Sequence, residues 1–149
     1  LADEALASAL KAIGRKERTE AEMREWLAVR GHDSDEIDRV LDYLIENLAV
    51  NDERFATEYT ADKRKLAGWG RDRIEATLVR RGIARETVES ALDAGDEGES
   101  EVDRATRVLV ERGAAVEDPD DRRRAMGLLA RRGFSAEDAY AAIRKAGSR

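Results

Sequence analysis

The side chains in this sequence that could do chemistry are mostly cations. His32 is the one histidine and cysteine is absent. A thiolate nucleophile, a disulfide and the usual zinc sets therefore have no members, and nothing completes a metal or acid–base site around His32. Ser, His and Asp residues exist, but no spacing brings them together as a triad. The carboxylates from Asp93 to Glu101 lack the alternation of a calcium loop and read as a solvated linker. We expect no catalytic residue, no metal and no cofactor. Contact chemistry remains. Lys63, Arg64, Lys65, Arg71, Arg73, Arg80, Arg81 and Arg85 stand against Asp72 and Glu75 alone, and Arg122, Arg123, Arg124 and Arg131 form a second cluster. Either cluster would attract acidic protein surfaces or phosphates; the plainer reading is a solvated helix face. Arg81 reads as a helix-end cation, because Arg30 and Arg132 hold the equivalent place. Trp69, between Gly68 and Gly70, falls in a loop beside these cations, either as an interface anchor or folded over the next helix. Trp26, Phe55 and Ala56 read as core, whereas Asp52 and Arg54 are open.

These residues must be positioned by helices. Charged residues are 40% of the chain and aromatics 5%, with a single proline, a balance that suits ion-paired helices and leaves too little apolar bulk to line a deep substrate pocket. Charge is blocked along the chain, about −6 over residues 1–52, +2 over 53–92, −8 over 93–121 and +6 over 122–149. Separate acidic and basic patches suit a charged protein partner better than uniform attraction to nucleic acid. No apolar run reaches the roughly 18 residues that span a bilayer, and with no cysteine we expect a soluble, cytoplasmic protein without membrane partners. The chain opens on Leu1 rather than methionine, which leads us to expect a trimmed N-terminus.

A repeat organises the sequence. Gly31, Gly82 and Gly133 are 51 residues apart, each preceded by arginine. Four residues before each glycine stand Leu27, Leu78 and Leu129; eight before, Met23, Ile74 and Ala125; ten after, Leu41, Leu92 and Ile143. Such a unit is a helix closed by a basic residue, a glycine in the left-handed conformation, and a second helix. Thr19 with Glu22, Asp33 with Glu36, Ser135 with Asp138, and Asp118-Pro119 ahead of Asp121 mark helix starts; Ile83-Ala84-Arg85-Glu86 offers no cap. His32, Ile83 and Phe134 occupy the position whose apolar contact closes a helix end. A preceding helix completes each unit: Leu6, Leu10 and Ile13; Phe55, Ala56, Tyr59, Lys63 and Leu66; Val102, Ala105, Val108 and Leu109. The expected fold is all-α, three tandem three-helix repeats of about nine helices, over 1–49, 50–95 and 96–149, with linkers at Asn47–Asn51 and Ala94–Ser100.

The run Asp52-Glu53-Arg54-Phe55-Ala56, then Lys63-Arg64, Gly68, Gly70, Arg73-Ile74, Leu78 and Arg81-Gly82-Ile83, resembles the central motif of the RecX regulatory family, and Arg131-Arg132-Gly133-Phe134-Ser135 resembles its C-terminal signature. The resemblance covers essentially the whole chain. It implies an elongated, curved array that binds the RecA recombinase filament along its groove, inhibits ATP hydrolysis, strand exchange and co-protease activity, and limits filament extension. It carries no catalytic residues. The partner-facing set we expect is Arg54, Lys63, Arg64, Lys65, Trp69, Arg71, Arg73, Arg80, Arg122, Arg123, Arg124 and Arg131, on a monomer that touches single- or double-stranded DNA weakly. Two other readings stay open. One is helix-turn-helix DNA recognition, opposed by acidic helix starts at Asp35, Glu36, Asp38, Glu86 and Glu89; the other is a helical adaptor for another client.

Overall fold

A computed structural model describes residues 2–95 and 98–148. The described residues form nine α-helices and no strand: α1 (Ala2–Arg15), α2 (Glu20–Val29), α3 (Ser34–Glu46), α4 (Asp52–Asp62), α5 (Arg71–Arg80), α6 (Arg85–Ala94), α7 (Glu101–Glu111), α8 (Pro119–Arg132) and α9 (Ala136–Gly147). The helix starts follow side-chain chemistry. Thr19 accepts from the Glu22 N–H while the Glu22 carboxylate accepts from the Thr19 N–H, and Asp33, Asp118 and Ser135 each accept from the backbone three residues on. Two further starts are capped by Asn51 and Ser100, at the ends of the segments read as linkers. At α6 the cap position is Ala84, with no side-chain bond.

The three glycines do what their spacing requires. Gly31, Gly82 and Gly133 have φ of +88°, +88° and +97°. The N–H of the residue after each returns to the carbonyl of Leu27, Leu78 or Leu129, closing a Schellman turn. Within each unit the first and second helices both lie on the third: α1 and α2 on α3, α4 and α5 on α6, α7 and α8 on α9. Three apolar clusters result, and Met23, Leu27 and Leu41, then Ile74, Leu78 and Leu92, then Ala125, Leu129 and Ile143 are buried at matching places.

Two expected stripes are displaced. In α1 the buried face is Ala5, Ala9 and Ala12, whereas Leu10 is 44% exposed and Leu6 and Ile13 only flank the core. Small residues let α1 press against α3, and the leucines border that seam. Leu66 is 79% exposed because residues Lys63–Ala67 wind as a π-helical turn that ends in Gly68 at φ +64°. The wider turn shifts the register, carrying Leu66 off the face that Phe55 and Ala56 occupy. In the second acidic linker, Asp96 and Glu97 lie outside the described residues.

Candidate functional site

The repeats meet through one device used twice. At the N-terminus of α2, the Thr19 hydroxyl donates to the Arg81 carbonyl (2.8 Å) and the Glu20 N–H donates to the Asp52 carboxylate (2.9 Å). At the N-terminus of α5, 51 residues later, the Gly70 N–H donates to the Arg132 carbonyl (2.7 Å) and the Arg71 N–H to the Glu101 carboxylate (2.8 Å). In both, the start of a helix, whose first N–H groups have no partner within the helix, is seated on the following unit: a hydroxyl or an N–H on the carbonyl of the arginine–glycine turn, and the next N–H on the first-helix carboxylate. The glycines allow the approach. A Cβ built on Gly82 or Gly133 would lie 2.3 Å from the Cβ of Ala21 or Arg73.

Side chains reinforce each junction. Arg81 grips Glu22 with two bonds, 2.8 and 3.0 Å, and its guanidinium stands 4.5 Å over the Phe55 ring. Burial pushes the Glu22 carboxyl up, but Arg81 and the Thr19 N–H outweigh it and hold the group below its ordinary value. Burial raises Asp52, which the Glu20 N–H offsets only in part and the Glu22 charge reinforces; burial and then the Asp52 charge raise Glu20. An aromatic row, Phe55, Tyr59 and Trp69, crosses the second unit, with centroids 5.9 and 6.3 Å apart. Cations cover its far end: Lys63 lies 4.7 Å and Arg73 3.9 Å from the Trp69 ring centre. Arg73 also donates to the Arg131 carbonyl, and Arg132 to that of Ala67.

The expected contact residues therefore divide. Arg54 binds Glu17 and the Leu48 carbonyl, Arg71 pairs with Asp93, and Arg73 and Lys63 both lie against the Trp69 ring. Arg64 is buried. Arg123 and Arg124 pair with Asp120 and Asp121 one turn back in α8, and Arg122 holds the Glu117 carbonyl. Trp69 is folded over the next helix, the plainer of its two readings. Lys65, Arg80 and Arg131 are exposed and, among the described residues, have no carboxylate partner. Arg80 and Arg131, with Trp69, Arg73 and Gly133, border a groove of about 540 Å³ across the α5–α8 junction. Sequence reasoning missed the Glu22–Arg81 clasp, which does not recur at the second junction, where Arg73 stands 51 residues after Glu22. His32 lies beside Glu36 at 3.5 Å. Among the described residues no cluster of His and acidic side chains is placed to hold a metal, and no helix is long and apolar enough to cross a membrane.

The family profile described as the RecX first three-helix domain matches residues 5–44, and that of the RecX second three-helix domain matches 51–92. The Regulatory protein RecX of Mycobacterium sp. (strain JLS) is 36% identical over 140 residues, 89% of this chain and 76% of that protein. This chain belongs to the RecX family. The RecX regulatory protein of Mycolicibacterium vanbaalenii is 35% identical over 147 residues, covering 93% of this chain and 79% of the relative. The crystal structure of RecX from Lactobacillus salivarius superimposes with a TM-score of 0.86 at 20% identity, over 99% of this chain and 97% of that one, which establishes the shared fold. The RecX resemblance drawn from Arg54-Phe55-Ala56 and the arginine–glycine turns thus holds, and the geometry explains its residues: many of them build the junctions.

Proposed function

We propose that this RecX-family chain acts by contact and not by catalysis: it binds the RecA filament in the cytoplasm, limits its extension and so lowers its ATPase, strand-exchange and co-protease activities. The observation that carries the reading is the groove across the α5–α8 junction, lined by Arg73, Arg80 and Arg131 against Asp72 alone among acidic residues. There Arg80 and Arg131 present guanidinium groups with no acidic partner among the described residues, available to an acidic protein surface. Lys65 adds a third exposed cation beside the α7 end of the same junction. We take residues 1–49, 50–95 and 96–149 as the working modules, held as one array by the two junctions.

The test is RecA-catalysed ATP hydrolysis on single-stranded DNA, titrated with this protein. Inhibition well below one copy per RecA is the outcome for capped growth, and inhibition only near saturation for a coated groove; a flat response removes the reading. Replacing Lys65, Arg80 and Arg131 by glutamate should weaken inhibition at least about tenfold while leaving thermal unfolding unchanged. These three are cleaner targets than Arg71, whose guanidinium pairs with Asp93, and Arg73, which reaches across the junction to the Arg131 carbonyl. Binding to naked DNA should be weak, since the first turns of α3 and α6 carry acidic residues, Asp35 and Glu36 in one and Glu86 in the other.

A further inference from the structure

The two junctions are built alike but differ in charge. At the second, the Glu101 carboxylate that takes the Arg71 N–H is also paired with the Arg104 guanidinium at 3.0 Å, and Arg71 itself pairs with Asp93. The negative charge there is answered within the molecule. At the first, the Asp52 carboxylate takes its N–H from Glu20, a second acid. The cations nearest in sequence are engaged elsewhere: Arg24 with Asp38 at 2.9 Å, Arg54 with Glu17 at 3.2 Å and Arg85 with Glu75 at 3.8 Å. Among the described residues, Glu20, Asp52 and the neighbouring Glu53 are therefore left without an ion pair. Burial first, with the charge of a neighbouring carboxylate adding to it, holds Glu20 and Asp52 above their ordinary values. A cation brought beside them would relieve that repulsion.

These three acids line a groove of about 350 Å³ between the end of α3 and the start of α6, together with Ile45, Leu48 and Thr87, and among the described residues no lysine or arginine lines it. Ile45 and Leu48 are exposed. Leu48 is also fixed in place: the Arg54 guanidinium donates to its carbonyl at 2.9 Å, and its φ is +58°. A leucine thus stands in solvent, in a backbone conformation that disfavours it, beside charge that lacks a counter-ion. The helix poles do not reverse the sign. The last turn of α3 carries no cation, so its carbonyl end adds negative potential, and the first turn of α6 carries Glu86.

We propose that this groove docks a basic segment of a partner protein, with a lysine or arginine set against Asp52 and Glu53 and an apolar side chain beside it on Leu48 and Ile45. Charge complementarity selects the cation. The apolar pair favours a peptide over a free cation or a polyamine, which the acids alone would serve, and the negative sign of the groove repels nucleic-acid phosphates. The site lies at the first junction and is opposite in charge to the Arg80–Arg131 groove, so it stands whether or not the chain binds RecA.

A fluorescein-labelled heptapeptide of alternating lysine and leucine is the probe, read by fluorescence anisotropy against the full chain. Leu48→Gly removes the apolar wall and Glu53→Gln one of the charges, both at exposed positions, and a melting curve checks that each variant stays folded. Each should weaken binding about tenfold. A peptide with serine for leucine should bind the unaltered chain about tenfold more weakly as well, and Glu137→Gln, which removes the same charge from α9, should change nothing. Absence of binding at millimolar chain overturns the proposal. So does equal binding of the serine peptide, which would reduce the contact to bulk attraction, or a loss with Glu137→Gln as large as that with Glu53→Gln. A second copy, offering its exposed Lys65 and Leu66, is the competing occupant: growth in mass with concentration in sedimentation velocity, abolished by Glu53→Gln, would overturn the partner reading in its favour.

Discussion

Leu48 is, among the described residues, the one non-glycine residue with a positive φ, +58°. It ends α3 in the place glycine takes at the other turns, with the Ala49 N–H returning to the Leu44 carbonyl at 2.8 Å. A branched side chain in this conformation costs about 1 kcal/mol, and at 62% exposure its own burial returns little. Leu48→Gly should therefore raise stability by about 1 kcal/mol, read from the urea midpoint; an unchanged or lower midpoint would show that the leucine packs usefully. Glu22 gives a second residue-scale expectation. Because its carboxyl is held below the ordinary value, its contribution is complete above the unfolded-state value and disappears as pH falls through the depressed one. Asp52 and Glu20, held above their ordinary values, take up protons first and favour the folded state as acidification begins. Unfolding free energy should accordingly hold or rise slightly on leaving neutrality and drop at lower pH, and Glu22→Gln should flatten that drop.

At the scale of elements, the arginine–glycine turn serves two purposes that substitution separates. Gly31 and Gly82 share a φ of +88°, but only Gly82 faces a neighbouring unit, at Ala21. Gly31→Ala should cost about 1 kcal/mol through backbone strain alone. Gly82→Ala should cost at least about 1 kcal/mol more, because the new methyl enters the junction. Equal losses would mean that the junction yields freely. The turns themselves were legible in the sequence, since a left-handed residue leaves a glycine and the 51-residue spacing repeats it; so were the caps at Thr19, Asp33, Asp118 and Ser135. The α1 face was not. Hydrophobicity ranks leucine above alanine, but close helix approach selected Ala5, Ala9 and Ala12. Leu66 was misplaced because a π-helical turn changes the period without a distinctive residue. Among the contact residues, charge alone could not separate Arg80 and Arg131, which face solvent, from Arg71, which pairs with Asp93 in its own unit, and Arg73, which reaches the Arg131 carbonyl of the next: all carry the same group, and only the fold decides what it meets.

Over the whole molecule, stability should be shared between units and their junctions, as in other repeat arrays. A variant that opens the Glu22–Arg81 clasp should broaden thermal unfolding by freeing the first unit to melt ahead of the other two. The paired cations and rings described above supply the means to see this. Trp26 lies under Arg30 at 3.5 Å in the first unit, and Trp69 under Arg73 at 3.9 Å where the second meets the third. Each indole thus emits beside a positive charge that departs when its own neighbourhood opens. With Trp69→Phe and Trp26→Phe, a fluorometer would follow the two halves of the rod separately, in the same cuvette conditions and without any added dye. Coincident traces in the unaltered background and divergent ones after Glu22→Gln would report, in light, how firmly one segment is coupled to the next.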